Sequence, residues 1–206
     1  MADAQARPEM GARAGRKPLA LLAAIAASVA AAVVGVVLAR GDGARHGGPL
    51  ACDGCDEILE GLPLDLGRSG TEGSGVILNR GEDDAVLDAV TYERLTPGLR
   101  ILDPLALRIG DYAGPGLAAG LVRSYPPRRT RRSARPLRGF VVHPYRNHDD
   151  AVELLNGFRP IRRGVFGYRA LFIHYHAGGK RYVARYPMAL VVCTPEANYR
   201  RCPPES

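Results

Sequence analysis

Between Pro18 and Ala39 the chain runs for 22 residues without a charge, PLALLAAIAASVAAAVVGVVLA. No other stretch limits the fold so sharply. At about 1.5 Å per residue a helix of that length reaches roughly 33 Å, enough to cross a hydrocarbon core of about 30 Å. A lipid-facing backbone must satisfy its own hydrogen bonds, so the run is expected to be helical despite its valines. Arg7, Arg13, Arg16 and Lys17 precede it, whereas Arg40 and Arg45 follow with Asp42 between them. That bias predicts a single pass through the cell membrane, with the N-terminus cytoplasmic and the chain from Gly41 onward extracytoplasmic. A cleavable signal peptide, cut after Ala39, is the rival reading. The run is longer than the roughly 7–15 apolar residues of a signal-peptide core, so an uncleaved signal-anchor fits better. Residues 1–17 read as a disordered basic tail and residues 40–58 as a flexible, Gly-rich spacer.

An extracytoplasmic location also governs the cysteine chemistry. The chain has 4 cysteines, Cys52, Cys55, Cys193 and Cys202, and outside a membrane these are expected to be disulfides. The spacing does not choose among the connectivities. We favour bridges from the N-terminal pair to the C-terminal pair, with Cys52–Cys55 and Cys193–Cys202 as the alternative. The Cys52-Asp53-Gly54-Cys55 motif invites a thioredoxin-like redox reading, which needs a helix after it. Asp56 to Glu60 followed by Gly61-Leu62-Pro63 is too short for one. A structural zinc held by all four thiols is the weaker rival.

From Gly73 the chain becomes a series of short apolar runs separated by turn residues. Gly75–Asn79 and Ala85–Tyr92 read as strands, with Val86, Val90 and Tyr92 expected on one face. Leu99–Ile109 reads as a third strand interrupted at Pro104, which lacks a donor for the ladder. Gly139–His143, Ala151–Phe158, Gly167–Tyr175, Arg181–Tyr186 and Met188–Cys193 follow. Ala177-Gly178-Gly179-Lys180 supplies hairpin chemistry, making Gly167–Tyr186 the expected central hairpin. Seven or eight strands without helical periodicity predict an all-β fold, a β-sandwich occupying residues 59–193, with 194–206 as a polar tail.

Three stretches carry a family resemblance: VILNRGEDDAVLDAVTYERLTPGLRIL, GFRPIRRGVFGYRALFIHYHAGGKRYVARY and ALVVC. In them the chain is similar to uncharacterised membrane-anchored proteins of actinobacteria with immunoglobulin-like outer domains, over about Gly75 to Cys193. The resemblance implies an immunoglobulin-like sandwich. It implies no activity and assigns no role to the C-x-x-C motif or to the Arg-rich insertion.

That insertion is the candidate site. Residues 110–136 have no sustained period, and seven arginines fall between Arg123 and Arg138 with no acid among them. A structureless loop of this length is uncommon in a compact domain, so it is either functional or mobile, and the plain alternative is a solvated basic loop. Arg128, Arg129, Arg131 and Arg132 are the candidate anion-binding residues, able to form bidentate contacts with carboxylates or phosphates. Partners expected from this chemistry are the membrane itself, anionic envelope polymers, lipid headgroups or another envelope protein. Nucleic acid is not expected, since no binding motif is present and DNA lies across the membrane. Arginine outnumbers lysine 26 to 2, so part of the formal charge of +7 reflects residue usage rather than a ligand.

Catalytic chemistry has little to start from. Gly73-Ser74-Gly75 is not a nucleophile elbow, and the acids Glu82, Asp83, Asp84, Asp149 and Asp150 fall in turns. His174 and His176 share a face of one strand, and a metal would need a third ligand such as His143 or His148. The reading is therefore a binding or interaction module, not an enzyme, with no cofactor and no metal site. A metal-binding or thiol-redox protein is the alternative.

Overall fold

The computed structural model describes residues 45–53, 55, 58–73, 75–112, 120–199 and 202. The apolar run Pro18–Ala39 and the basic tail before it lie outside the described residues. Among the described residues no helix is long and apolar enough to cross a membrane.

The described chain is all-β. It opens with β1 (Arg45–His46), β2 (Leu50–Asp53), β3 (Ile58–Pro63), β4 (Gly70–Gly73) and β5 (Val76–Asn79). Then come β6 (Ala85–Glu93), β7 (Leu99–Ile101), β8 (Leu105–Arg108), β9 (Gly120–Val122), β10 (Arg135–Pro136) and β11 (Val141–Val142). The last five are β12 (Val152–Pro160), β13 (Gly164–Tyr168), β14 (Ala170–Ala177), β15 (Lys180–Tyr186) and β16 (Met188–Thr194). Single 3-10 turns at Ile109–Asp111, His148–Asp150 and Glu196–Asn198 are the only helical elements among the described residues. The strands are shorter and more numerous than the seven or eight expected. Strands β1 and β2 fall inside the stretch expected to be a spacer.

Strand β12 is the spine of an eight-stranded sheet. One edge takes β8 and β7, the other takes β5 and β4, with β2 added outside β5, β9 outside β4 and β10 outside β8. This strand is flanked on both edges and buried on both faces, so any polar residue in it, here Glu153 and Asn156, is taken out of water with it. Accordingly every residue of β12 except Arg159 is buried. Pro104 separates β7 from β8, as its missing N–H predicts.

A five-stranded sheet runs β1-β15-β14-β6-β11, with only β1 parallel to its neighbour. The β14–β15 hairpin closes at Gly178 and Gly179, whose φ values of 53° and 72° match a tight hairpin turn. The sequence reading missed a bulge in β6. Leu87 opposes Tyr175 and Ala89 opposes His174, so Asp88 is an extra residue. A bulge reverses which residues point inward beyond it. Ala85 and Leu87 therefore enter the core before it and Val90 and Tyr92 pack there after it, while Val86 lies on the opposite face from the one expected.

The third sheet has the order β13-β16-β3, with β3 parallel to β16. The expected strand Gly167–Tyr175 is in fact two. Its chain leaves this sheet at Arg169 and continues as β14 in the five-stranded sheet, while Pro187 marks the return from β15 to β16. Bends of this kind let strands change layers at the corners of packed sheets. The inner face of the third sheet, with Phe166, Tyr168, Leu190 and Val192, joins one continuous core with Val152, Leu154 and Phe158 of β12 and Leu171, Ile173 and Tyr175 of β14. Its outer face is also apolar. Leu59 lies beside Ala189, Gly61 beside Val191 and Gly167, and Pro63 beside Cys193 and Val165.

Candidate functional site

The arginine-rich segment is held in place rather than left loose. It is entered through β9, paired with β4, and left through β10, paired with β8. The Thr71 hydroxyl donates to the Ser124 carbonyl, and the Tyr125 hydroxyl donates to the Asp103 carbonyl. Burial, reinforced by the Asp103 carboxylate, pushes the Tyr125 phenol up to about 12.

Between these strands the chain turns around Thr130, which is fully buried. Its N–H and hydroxyl both donate to the Pro127 carbonyl, each at 3.2 Å. Its own carbonyl accepts from the N–H groups of Ser133 and Ala134 at 3.0 and 2.8 Å. The Ser133 hydroxyl then donates to the Asp111 carbonyl at 3.0 Å. A short polar residue can satisfy nearby backbone groups in this way, which is why threonine can anchor a turn. With Thr130 turned inward, Arg128, Arg129, Arg131 and Arg132 on either side of it are all exposed.

None of these four guanidinium groups makes an ion pair among the described residues. The neighbouring arginines differ. Arg123 pairs with Glu196 at 2.7 Å, and Arg135 donates to the carbonyls of Arg132 and Ala134 at 2.6 and 3.1 Å. The turn therefore concentrates uncompensated positive charge on a fixed backbone, where an anion meets little ordering cost.

Both disulfides are local. Cys52 bonds Cys55 with Cα atoms 5.6 Å apart, and Cys193 bonds Cys202 with Cα atoms 6.0 Å apart. This overturns the pairing we favoured, N-terminal pair to C-terminal pair. The reason is topological: Cys52 lies in β2 of the eight-stranded sheet, whereas Cys193 lies in β16 of the third sheet. Cys55 is buried, with its sulfur 3.3 Å from the Met188 sulfur. Strand β3 follows the C-x-x-C motif where a redox-active pair would be backed by a helix.

The histidines are dispersed. His174 Nε2 lies 2.9 Å from the Thr91 hydroxyl, His176 Nδ1 lies 3.2 Å from Asp88, and His143 Nδ1 lies 2.8 Å from Asp84. Among the described residues no group of three side chains is placed to hold a metal.

The sequence reading missed a buried polar network. Asn156 donates to the Glu72 carboxylate at 2.8 Å, Tyr168 donates to the same oxygen at 3.3 Å, and Tyr92 donates to the Asn156 side-chain oxygen at 3.3 Å. Glu72 is 2% exposed. Burial, with Glu72 next, holds the Tyr168 and Tyr92 phenols well above their usual range. Glu72 sits in Gly-Thr-Glu-Gly, a pattern that reads as an exposed turn, so only its opposition to Asn156 across β4 and β12 reveals it.

No family model matches the chain, and no curated protein matches it in sequence. Among solved structures it is similar to the Vibrio cholerae VesB protease, at 9% identity and a TM-score of 0.33. The similarity covers 71% of this chain and 32% of that one, so the chain spans about a third of the protease.

Proposed function

We propose that this chain is a membrane-anchored, extracytoplasmic binding module whose arginine turn recognises anionic groups. In this reading Pro18–Ala39 is the single-pass anchor, with the N-terminus cytoplasmic. The described domain is an immunoglobulin-like sandwich of the kind implied by the resemblance to actinobacterial membrane-anchored proteins. It acts by binding rather than by catalysis, without a cofactor, and its partner is an envelope polymer, a lipid headgroup or another envelope protein that offers carboxylates or phosphates. One observation carries the reading: four exposed guanidinium groups, unpaired among the described residues, flank a buried threonine that fixes their backbone.

At an anionic surface each arginine contributes about 1 kcal/mol, an effect that decays within a Debye length of roughly 8 Å at physiological salt. The full chain is therefore expected to bind anionic vesicles or cell-wall fractions with an affinity that falls steeply as salt rises. Changing Arg128, Arg129, Arg131 and Arg132 together to Ser is expected to abolish that binding and leave the circular dichroism spectrum unchanged. Undiminished binding by the variant, or no binding by the parent at any salt, would refute the proposal.

A further inference from the structure

Strand β6 is fully paired along one edge and only partly along the other. On the first edge β14 runs beside it from Ala85 to Glu93. On the second, β11 reaches only Ala85 and Val86, and Leu87 is the last residue bonded there. The Leu87 N–H donates to the Phe140 carbonyl at 2.9 Å, and the Leu87 carbonyl accepts from the Gly139 N–H at 2.7 Å. From Asp88 onward no strand lies on this edge among the described residues. The segment before β11 belongs instead to the eight-stranded sheet. There the Leu137 N–H donates to the Pro104 carbonyl at 3.0 Å, and Pro136 stands opposite Leu105. Residues 136–139 thus cross between the two sheets. The open edge of β6 and the segment Asp103–Leu105 become the two sides of a gap, bounded at one end by this crossing.

The gap is a cleft of about 510 Å³, inside the usual range of roughly 300–1,000 Å³ for ligand sites. Val90 and Leu105 line its sides, and Leu137, which is 2% exposed, lies at the bounded end. Asp88, Asp103 and Arg138 also line it. Asp88 is shared with His176, whose Nδ1 lies 3.2 Å from each of its carboxylate oxygens. Asp103 and Arg138 make no ion pair among the described residues. The Tyr125 hydroxyl donates to the Asp103 carbonyl, so that side of the cleft is held before any ligand arrives.

These features select the occupant. An open strand edge beside an apolar cleft offers main-chain hydrogen bonds to an extended peptide. The guanidinium stands at the bounded end, where such a peptide would have to stop, and a terminal carboxylate would meet it there. The two acids disfavour an anionic lipid or polymer and suit a basic residue further back in the peptide. An acyl chain would also leave the backbone edge of β6 without a partner.

We propose that this cleft binds the free C-terminal end of an extended peptide by adding it to the edge of β6. The last side chain of the peptide, an apolar one, packs among Val90, Leu105 and Leu137, and its carboxylate pairs with Arg138. A basic residue upstream meets Asp103. The cleft is separate from the arginine turn and does not depend on it.

The test titrates the full chain, in nanodiscs of neutral lipid, with a short peptide labelled at its N-terminus and ending in lysine, threonine, valine and leucine. With a free carboxylate it is expected to bind saturably, roughly tenfold tighter than the same peptide as a C-terminal amide. Arg138→Ser is expected to remove this preference and leave the affinity for the amide unchanged, a split that a merely structural role for Arg138 would not produce. Replacing the peptide's lysine by glutamate is expected to weaken binding, and Asp103→Lys to reverse that order, with unfolding transitions intact in both variants. Methylating alternate backbone nitrogens of the peptide reads strand pairing directly: one alternate set is expected to abolish binding and the other to spare it. The variant with Ser at Arg128, Arg129, Arg131 and Arg132 is expected to bind the peptide as the parent does. The proposal fails if the peptide does not bind, if acid and amide bind equally, or if Arg138→Ser keeps the preference. It fails equally if Asp103→Lys leaves the order unchanged, if both methylated sets act alike, or if the turn variant loses binding. Competition by free leucine as strong as that by the unlabelled peptide would assign the cleft to a free amino acid, and competition by anionic vesicles would assign it to lipid. Either result would overturn the proposal.

Discussion

Replacing Tyr186 with Phe removes one hydroxyl from a side chain that is 4% exposed. That hydroxyl has no hydrogen-bond partner among the described residues. A buried, unpaired hydroxyl costs about 1–3 kcal/mol of desolvation, so its removal is expected to stabilise the protein at neutral pH by about 1 kcal/mol. The same substitution has a second signature in alkali. Burial holds the Tyr186 phenol far above its usual range, as burial and Glu72 hold Tyr168 and Tyr92. In the unfolded chain all three ionise near pH 10. A phenol with a raised folded pKa contributes stability that is fully present below about pH 10 and is lost as pH rises toward the folded value. Each phenol proton retained only by the folded chain lowers stability by about 1.4 kcal/mol per pH unit above pH 10, so these three tyrosines contribute roughly 4 to the slope, beside Tyr125 and Tyr175, whose phenols are also raised. In the variant the slope is shallower than that of the parent by about 1.4 kcal/mol per pH unit. Urea unfolding from neutral pH into alkali, with tyrosinate absorbance recorded alongside, measures both effects. Destabilisation at neutral pH, or an alkaline slope equal to that of the parent, would refute the reasoning.

The bulge at Asp88 predicts opposite outcomes for adjacent residues: Leu87→Ala is expected to cost about 2–5 kcal/mol and Val86→Ala about 1 kcal/mol or less, read from urea midpoints. Breaking the Cys193–Cys202 bridge by Ser substitution at both positions is expected to cost roughly 3 kcal/mol, from the closure entropy of a loop with a sequence separation of 9. A methyl group at Gly167 would run into the Leu190 carbonyl oxygen, so Gly167→Ala is expected to disturb β13–β16 pairing and cost about 3 kcal/mol, read as a lowered Tm.

How much of the site was legible follows from the range of the interactions involved. The arginines of the turn stand out in sequence because no acid interrupts them from Arg123 to Arg138. That Thr130 would turn inward and pin them was not legible, since its partners Pro127, Ser133 and Ala134 are as common in loose loops as in ordered ones.

The sequence alone determined that the folded part of this chain is built from strands. Short apolar runs punctuated by Gly and Pro have no helical period to follow, and that information is local. The Gly178-Gly179 hairpin and the break at Pro104 are equally local, because each depends on the backbone freedom or the missing donor of the residue itself. Only the tertiary structure decided which strands share a sheet, where the chain changes layers at Arg169 and Pro187, and how the four cysteines pair. It also decided that Glu72 is buried beside Asn156 and that one extra residue at Asp88 reverses the faces of β6. These outcomes depend on pairing partners tens of residues apart, and a one-residue difference in register exchanges the inside of a strand for the outside.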